Sequence, residues 1–261
     1  MATLDRLLIF PIKSLDGVEV QHAKILPGGA LEHDREFCLV DRDGKYVNGK
    51  RTAKIHQIRS QFDLKTRLVT LSVQHENPVS FHLDHGRGGI EGWLSHFFGF
   101  PVFLKQDLHT GFPDDKTSTG PTIISTATLE ALASWFPGVT VEEMRSRLRT
   151  NLELQDVPAF WEDQLYSETE EPVPFQLGEV KLLGINPCQR CPVPTRDSIS
   201  GEAYPDFQKI FVARRKDSLP KWAAANRFNH FFRTAVNTRI EASESGKSIQ
   251  VGDRCIEAHN G

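Results

Sequence analysis

No apolar run in this chain is long. The longest, Phe97 to Leu104 (FFGFPVFL), is interrupted by Gly99 and Pro101. Nineteen glycines and fifteen prolines punctuate the rest. Proline removes a backbone donor and glycine carries the largest conformational freedom, so each tends to end regular structure where it falls. Such spacing predicts short elements joined by many turns. It also falls far short of the ~18 consecutive apolar residues that a membrane-spanning helix needs, so no membrane insertion is expected.

Composition narrows the class further. With 39% hydrophobic and 25% charged residues over 261 positions, there is material for a sizeable core in one large domain or two small ones. Lys plus Arg number 31 and Asp plus Glu 34, a net charge of −3. That balance disfavours nucleic acid or an anionic membrane as the main partner, while leaving room for a local basic pocket. Four cysteines are too few for a disulfide framework, and the start MATLDRLLIF has neither a basic n-region nor a cleavage site. A cytoplasmic, reducing compartment with free thiols is therefore expected.

The first hundred residues read mainly as strands. Leu4–Phe10, Phe37–Asp41, Tyr46–Val47, Val69–Val73, Phe81–Leu83 and Val102–Leu104 are short, rich in β-branched and aromatic residues, and bounded by turn formers. Asp43-Gly44 is expected to make a type I′ hairpin turn. Gly92 to Phe98 reads as one short helix. This spacing favours a barrel or a strongly curved sheet over a parallel α/β sheet. Residues 108–120 are polar and turn-rich, the best boundary in the chain. Beyond them, Ser125 or Thr126 can cap a helix stopped by Pro137-Gly138, and Thr140 with Glu143 forms a capping box for Val141–Leu148. Strands are expected again at Asn151–Leu154, Val180–Ile185 and Ser248–Val251, and a third helix at Lys221–Phe232.

The sequence Cys188-Gln189-Arg190-Cys191 has several chemical readings. Half of a zinc site would need two more ligands, and no second C-x-x-C or H-x-x-x-H exists. A dithiol redox pair would be expected to open a helix, whereas Pro192 and Pro194 give this segment loop character. One functional thiolate beside an incidental thiol is a third reading, and two cysteines with no chemical role the default for an isolated motif.

The motif is not isolated. Phe10-Pro11-Ile12-Lys13-Ser14 ends the first strand and is followed by Asp16-Gly17. His33-Asp34-Arg35 precedes the next long strand, and Arg51 follows the hairpin. Arg149-Thr150-Asn151, then Cys191-Pro192-Val193-Pro194-Thr195-Arg196-Asp197 and Gly201, complete the order. In this order and spacing the chain resembles the two-domain MOSC family, molybdenum-cofactor proteins that include the amidoxime reducing component. The resemblance implies a mainly β fold with short helices (α+β). Its β-barrel MOSC domain, residues 121–261, would be preceded by a smaller β-rich unit, the N-terminal MOSC β-barrel domain at residues 1–107, with a linker at 108–120.

The same resemblance implies the site. Cys191, the second cysteine of the motif, matches the thiolate that binds molybdenum and serves as the catalytic ligand. Lys13, Ser14, Arg35, Ser118, Thr119, Arg149 and Asn151 match positions that hold the molybdenum cofactor, molybdopterin with Mo, and Arg190 reads as a cofactor contact or a charge that lowers the thiolate pKa, against a solvated arginine as the ordinary alternative. Cys188 reads as a small buried hydrophobe, and Arg51 as either a cofactor contact or a salt bridge. Asp197 and His33 read as structural rather than as proton donors. Thr150 stands where the family has proline, and Phe231 where amidoxime-reducing relatives carry tyrosine. The implied activity is reduction of an N-hydroxylated or N-oxygenated small-molecule substrate. The four cysteines do not form the C-x₄-C-x₂-C…C array of an iron–sulfur cluster, so an external electron-donor protein of ferredoxin, flavin or cytochrome type is implied. The alternative is a carrier of molybdenum cofactor or of sulfur on Cys191.

Overall fold

The computed structural model describes residues 1–257; residues 258–261, the end of the expected second domain, lie outside the described residues. The first half contains β1 (Thr3–Ile9), β2 (Val18–Glu19), β3 (His22–Lys24), β4 (Phe37–Val40), β5 (Arg59–Asp63), β6 (Leu68–Ser72), β7 (Val79–His82), α1 (Arg87–Phe98) and β8 (Phe103–Gln106). The second contains β9 (Ile123–Ser125), α2 (Thr126–Ser134), α3 (Val141–Leu148), β10 (Leu152–Gln155), β11 (Val173–Leu177), β12 (Val180–Gln189), α4 (Phe207–Asp217), β13 (Arg233–Arg239), β14 (Ser248–Gln250) and β15 (Cys255–Glu257). The fold is mainly β with short helices, and no helix among the described residues is long and apolar enough to cross a membrane.

Eight strands form the principal sheet, in the order β15-β11-β12-β13-β9-β10-β1-β2. β9 and β10 run parallel, joined through α2 and α3, and the other pairings are antiparallel. The first strand of the chain thus lies inside a sheet built mostly by the second half, with Thr3 opposite Gln155 and Leu7 opposite Leu152. Alternation along the strands divides the core. On β9, Ile123 joins Leu4, Leu7, Leu152 and Val236 in one cluster, whereas Ile124 joins Leu129, Phe136, Met144, Phe207 and Phe211 under the helices. A third cluster, with Ile12, Phe37, Val69, Ile90 and Leu94, packs the N-terminal hairpins against α1.

Both helix caps appear where the sequence places them. Ser125 Oγ accepts from Thr128 N, and Thr140 Oγ1 accepts from Glu143 N. The reciprocal half of the capping box is diverted: the Glu143 carboxylate accepts instead from Arg147 Nε at 2.6 Å and from Ser198 N at 2.9 Å, tying α3 to the loop after Cys191.

Several local expectations are corrected. Lys221–Phe232 is not a helix but a loop with a 3₁₀ turn at Ala225–Arg227. Phe228 packs into the β-sheet core and Phe232 into the helical one, and a single helix stripe cannot face two cores. The fourth helix is Phe207–Asp217, where Phe207, Phe211 and Arg215 at i, i+4 and i+8 form the buried face. Helix α1 starts at Arg87, ahead of Gly92, because Ile90 and Leu94 anchor it despite three glycines. Of Asp43-Gly44 only Gly44 has positive φ, so the turn is a three-residue loop rather than type I′. Tyr46 makes one isolated bridge to Val40 instead of a strand. Strand β12 runs on past Ile185 to Gln189, with its register to β13 shifting at Gly184/Asn186 and Pro187/Gln189, so Cys188 sits on a strand end.

Candidate functional site

A cleft of about 880 Å³ opens between the segment after β1, the 108–120 segment, the C-terminal end of α3 and the end of β12. Its lining includes the nine residues expected to hold cofactor or metal: Lys13, Ser14, Arg35, Ser118, Thr119, Arg149, Asn151, Arg190 and Cys191. Ser14, Arg35 and Arg149 have φ of 75°, 49° and 55°. Left-handed backbone costs a non-glycine residue about 1–2 kcal/mol, and clustering of such residues marks a place where local strain is held by surrounding structure.

Phe10 is the centre of the cationic wall. The Arg35 guanidinium lies 5.0 Å from its ring centroid and that of Arg149 4.3 Å. The ring fits because residue 17 is glycine: a Cβ there would lie 2.7 Å from Phe10 Cε1. Arg35 is further fixed by an ion pair with Asp34, a bond to Asn151 Oδ1 at 3.1 Å and one to Arg149 O at 3.3 Å. Asp34 also accepts from Phe10 N at 2.9 Å, clamping strand end and arginine together. Arg149 has no such partner: among the described residues its guanidinium meets only the Phe10 ring. Burial and the charge of Arg35 lower its pKa to about 10.

The other predicted residues differ in how far their donors are engaged. Lys13 Nζ donates to Phe112 O at 2.8 Å and Pro113 O at 3.2 Å and pairs with Asp114 at 2.9 Å; burial lowers its pKa. Ser118 is buried and its hydroxyl makes no hydrogen bond of ordinary geometry. Thr119 donates to Gly28 O at 2.7 Å. Asn151 is used within the protein, accepting from Arg35 and Thr122 and donating to Leu8 O at 3.0 Å. Arg190 likewise donates to Thr234 O at 3.0 Å and Leu148 O at 3.0 Å, stapling the cysteine loop to β13 and to α3. These two residues position neighbours rather than present free donors.

All four cysteines are free thiols. Cys38 and Cys255 are buried, and burial pushes the Cys38 thiol up to about 11. Cys188 and Cys191 both line the cleft and are partly exposed, so Cys188 is not the buried hydrophobe expected of it. No group of three or more His, Cys, Asp or Glu side chains among the described residues could hold a metal ion. Any metal here would take at most two protein ligands and complete its coordination from elsewhere.

Arg51 donates to Asp41 at 3.0 Å and lies outside the cleft. His33 pairs with Glu36 at 2.8 Å, and Asp197 accepts from Ser200 N at 2.8 Å. Phe231 stacks on Phe228 at 5.5 Å and is not part of the lining. Sequence reading missed Phe10 and Asp34 as organisers, although both stand inside quoted motifs. It also missed His56, Arg59 and Asp114, for which single residues in ordinary turns carry no signal.

Residues 1–99 match the family model described as MOSC N-terminal beta barrel domain. Among curated proteins, the chain is 23% identical to "Molybdenum cofactor sulfurase" of Bos taurus over 82% of its length and 29% of that protein's. It is 21% identical to the Homo sapiens protein of the same name over 80% of its length and 28% of that protein's. A segment covering 31% of the chain is 38% identical to "Molybdenum cofactor sulfurase 3" of Aedes aegypti, over 10% of that protein. The chain thus spans less than a third of each of these relatives. The match to the MOSC N-terminal beta barrel domain is thus carried by residues 1–99, and the chain over most of its length is similar, at 21–23% identity, to molybdenum cofactor sulfurases.

Proposed function

We propose that the cleft holds molybdenum cofactor, with Cys191 as the single protein thiolate on the metal, and that the protein reduces N-hydroxylated or N-oxygenated small molecules with electrons from a separate donor protein. One observation carries the reading: a thiol and a guanidinium with no acceptor among the described residues, Cys191 and Arg149, line one cleft together with the buried Ser118 hydroxyl, which faces only Asp115. A buried polar group left unpaired costs about 1–3 kcal/mol, which a polar, anionic ligand would recover. Such a ligand fits these residues. Ser14, Ser118 and Arg149 would hold the phosphate and pterin, with Lys13 and Arg35 supplying charge and Asn151 and Arg190 fixing the frame. When bound, the cofactor would supply two-electron redox chemistry that amino-acid side chains lack. The chain's own part is to present the thiolate, bind the anion and limit water around it. On this reading the chain has two units, 1–107 and 121–261, with the cleft where they meet.

A second reading is a carrier of cofactor or sulfur, and the relatives' name, molybdenum cofactor sulfurase, favours it. Turnover separates the two. Purified protein with bound molybdenum and a reduced viologen dye is expected to convert benzamidoxime to benzamidine over many cycles. Full loading with at most one equivalent converted would sink the reductase reading in favour of the carrier.

A further inference from the structure

Adjoining the Phe10 wall, Arg59 and Arg196 join Arg149 of the wall itself in acting on one histidine, His56. His56 sits on the 3₁₀ turn Ala53–Gln57, and burial together with the charges of Arg149, Arg196 and Arg59 lowers its pKa; Asp197 acts in the opposite sense. Neither ring nitrogen has a hydrogen-bond partner among the described residues, and Nε2 is buried. A Cβ on Gly49 would lie 3.1 Å from that Nε2 and 3.1 Å from Val193 Cγ2, so the turn packs directly on the loop after Cys191.

The arginines are not equivalent. Arg59 is neutralised and fixed: it lies 3.3 Å from Asp16 and donates to His56 O at 2.6 Å and Ser198 O at 3.0 Å. Arg196 has a single acceptor among the described residues, Gly201 O at 3.0 Å. The adjacent Asp197 carboxylate is engaged elsewhere, accepting from Ile199 N at 3.1 Å and Ser200 N at 2.8 Å and facing Arg147 at 3.6 Å. Arg196 therefore brings an uncompensated guanidinium to the cleft lining beside His56 and Ser198. Arg149 acts electrostatically on both Arg35 and His56, linking this end of the cleft to the Phe10 wall.

We propose that Arg196 and His56 form a second anion-binding position, which holds a carboxylate on the small-molecule substrate in the same cleft as Cys191. The inference rests on reading the cleft as a reaction site and extends that reading by assigning the substrate's charge. A planar guanidinium matches a carboxylate with two parallel hydrogen bonds. A neutral imidazole adds a donor without adding repulsion among three arginines. A singly charged, planar group suits this pair better than a phosphate, which the Lys13 and Arg35 end would take.

The test uses the full chain and three probes, benzoate, its neutral isostere benzamide and inorganic phosphate, with affinities read by protein-observed NMR. Benzoate is expected to bind at least tenfold more tightly than benzamide. Arg196→Gln should weaken benzoate about tenfold, the scale of one charge-assisted hydrogen bond, and leave phosphate within twofold. Arg35→Gln should do the reverse. Equal binding of benzoate and benzamide, unchanged benzoate affinity in Arg196→Gln, or equal loss of benzoate in both variants would each overturn the proposal. If Arg196→Gln does not fold, Arg196→Lys keeps the charge without the fork and should still lose threefold or more; no loss overturns it. Absence of molybdenum from the wild-type protein would refute the cofactor reading and leave this benzoate comparison intact.

Discussion

Phe10 shows how one apolar side chain can order a polar site. Its ring holds the guanidinium groups of Arg35 and Arg149, which come from opposite halves of the chain, and Gly17 leaves the ring room. Each cation–π contact contributes roughly 0.5–2 kcal/mol. Phe10→Leu keeps the apolar volume but removes the π face. It is expected to lower stability by about 1–3 kcal/mol in urea unfolding and to reduce bound molybdenum in the same preparation. A variant as stable and as fully loaded as the parent would show that the ring has no organising role. Much of this was legible in sequence, because Lys13, Arg35, Arg149 and Cys191 fall inside short ordered motifs. What was not legible is which polar groups remain free. Asn151 and Arg190 look like ligand contacts as residue types, yet their hydrogen bonds run to Leu8, Thr122, Leu148 and Thr234. Only the folded chain decides that partnership.

At the scale of elements, the caps of α2 and α3 were readable because Ser125 and Thr140 act on backbone three residues away. The helix at Phe207–Asp217 was not, because its third inward position is Arg215, a charge in place of a hydrophobe. That arginine is fully buried, pairs with Asp163 at 2.5 Å and lies 4.3 Å from the Phe160 ring. Next to it, burial and then the charge of Asp163 push the Glu162 carboxyl up to about 7, and Glu162 Oε1 has no partner. An unfolded glutamate titrates near ~4.3. A carboxyl raised on folding supports the native state fully below that value, and the support is lost as pH rises toward 7. Glu162→Gln is neutral throughout. It is therefore expected to be more stable than the parent by roughly 1–3 kcal/mol at pH 8 and equal to it near pH 4. Urea unfolding at the two pH values checks this, and a difference independent of pH would contradict the linkage.

On the scale of the whole molecule, β1 is paired to β10 and β3 to β14, so the N-terminal segment is woven into the later sheet. Sequence alone suggests a boundary at 108–120 but says nothing of this pairing, since a strand's own pattern does not name its neighbour. Lys116 is exposed within that segment. Trypsin cleavage there should leave the two pieces together on gel filtration as one particle of the parent's 29.4 kDa, and separation into halves would contradict the woven arrangement. The same interlocking brings Arg35 and Arg149, Lys13 and Cys191 to one cleft. The central claim is that this cleft holds molybdenum through Cys191, and molybdenum and pterin content of protein from a cofactor-competent host tests it most directly. Stoichiometric metal and pterin are expected in the wild type and in Cys188→Ser, with loss of molybdenum in Cys191→Ser. Molybdenum retained in Cys191→Ser, or lost only in Cys188→Ser, would contradict the claim.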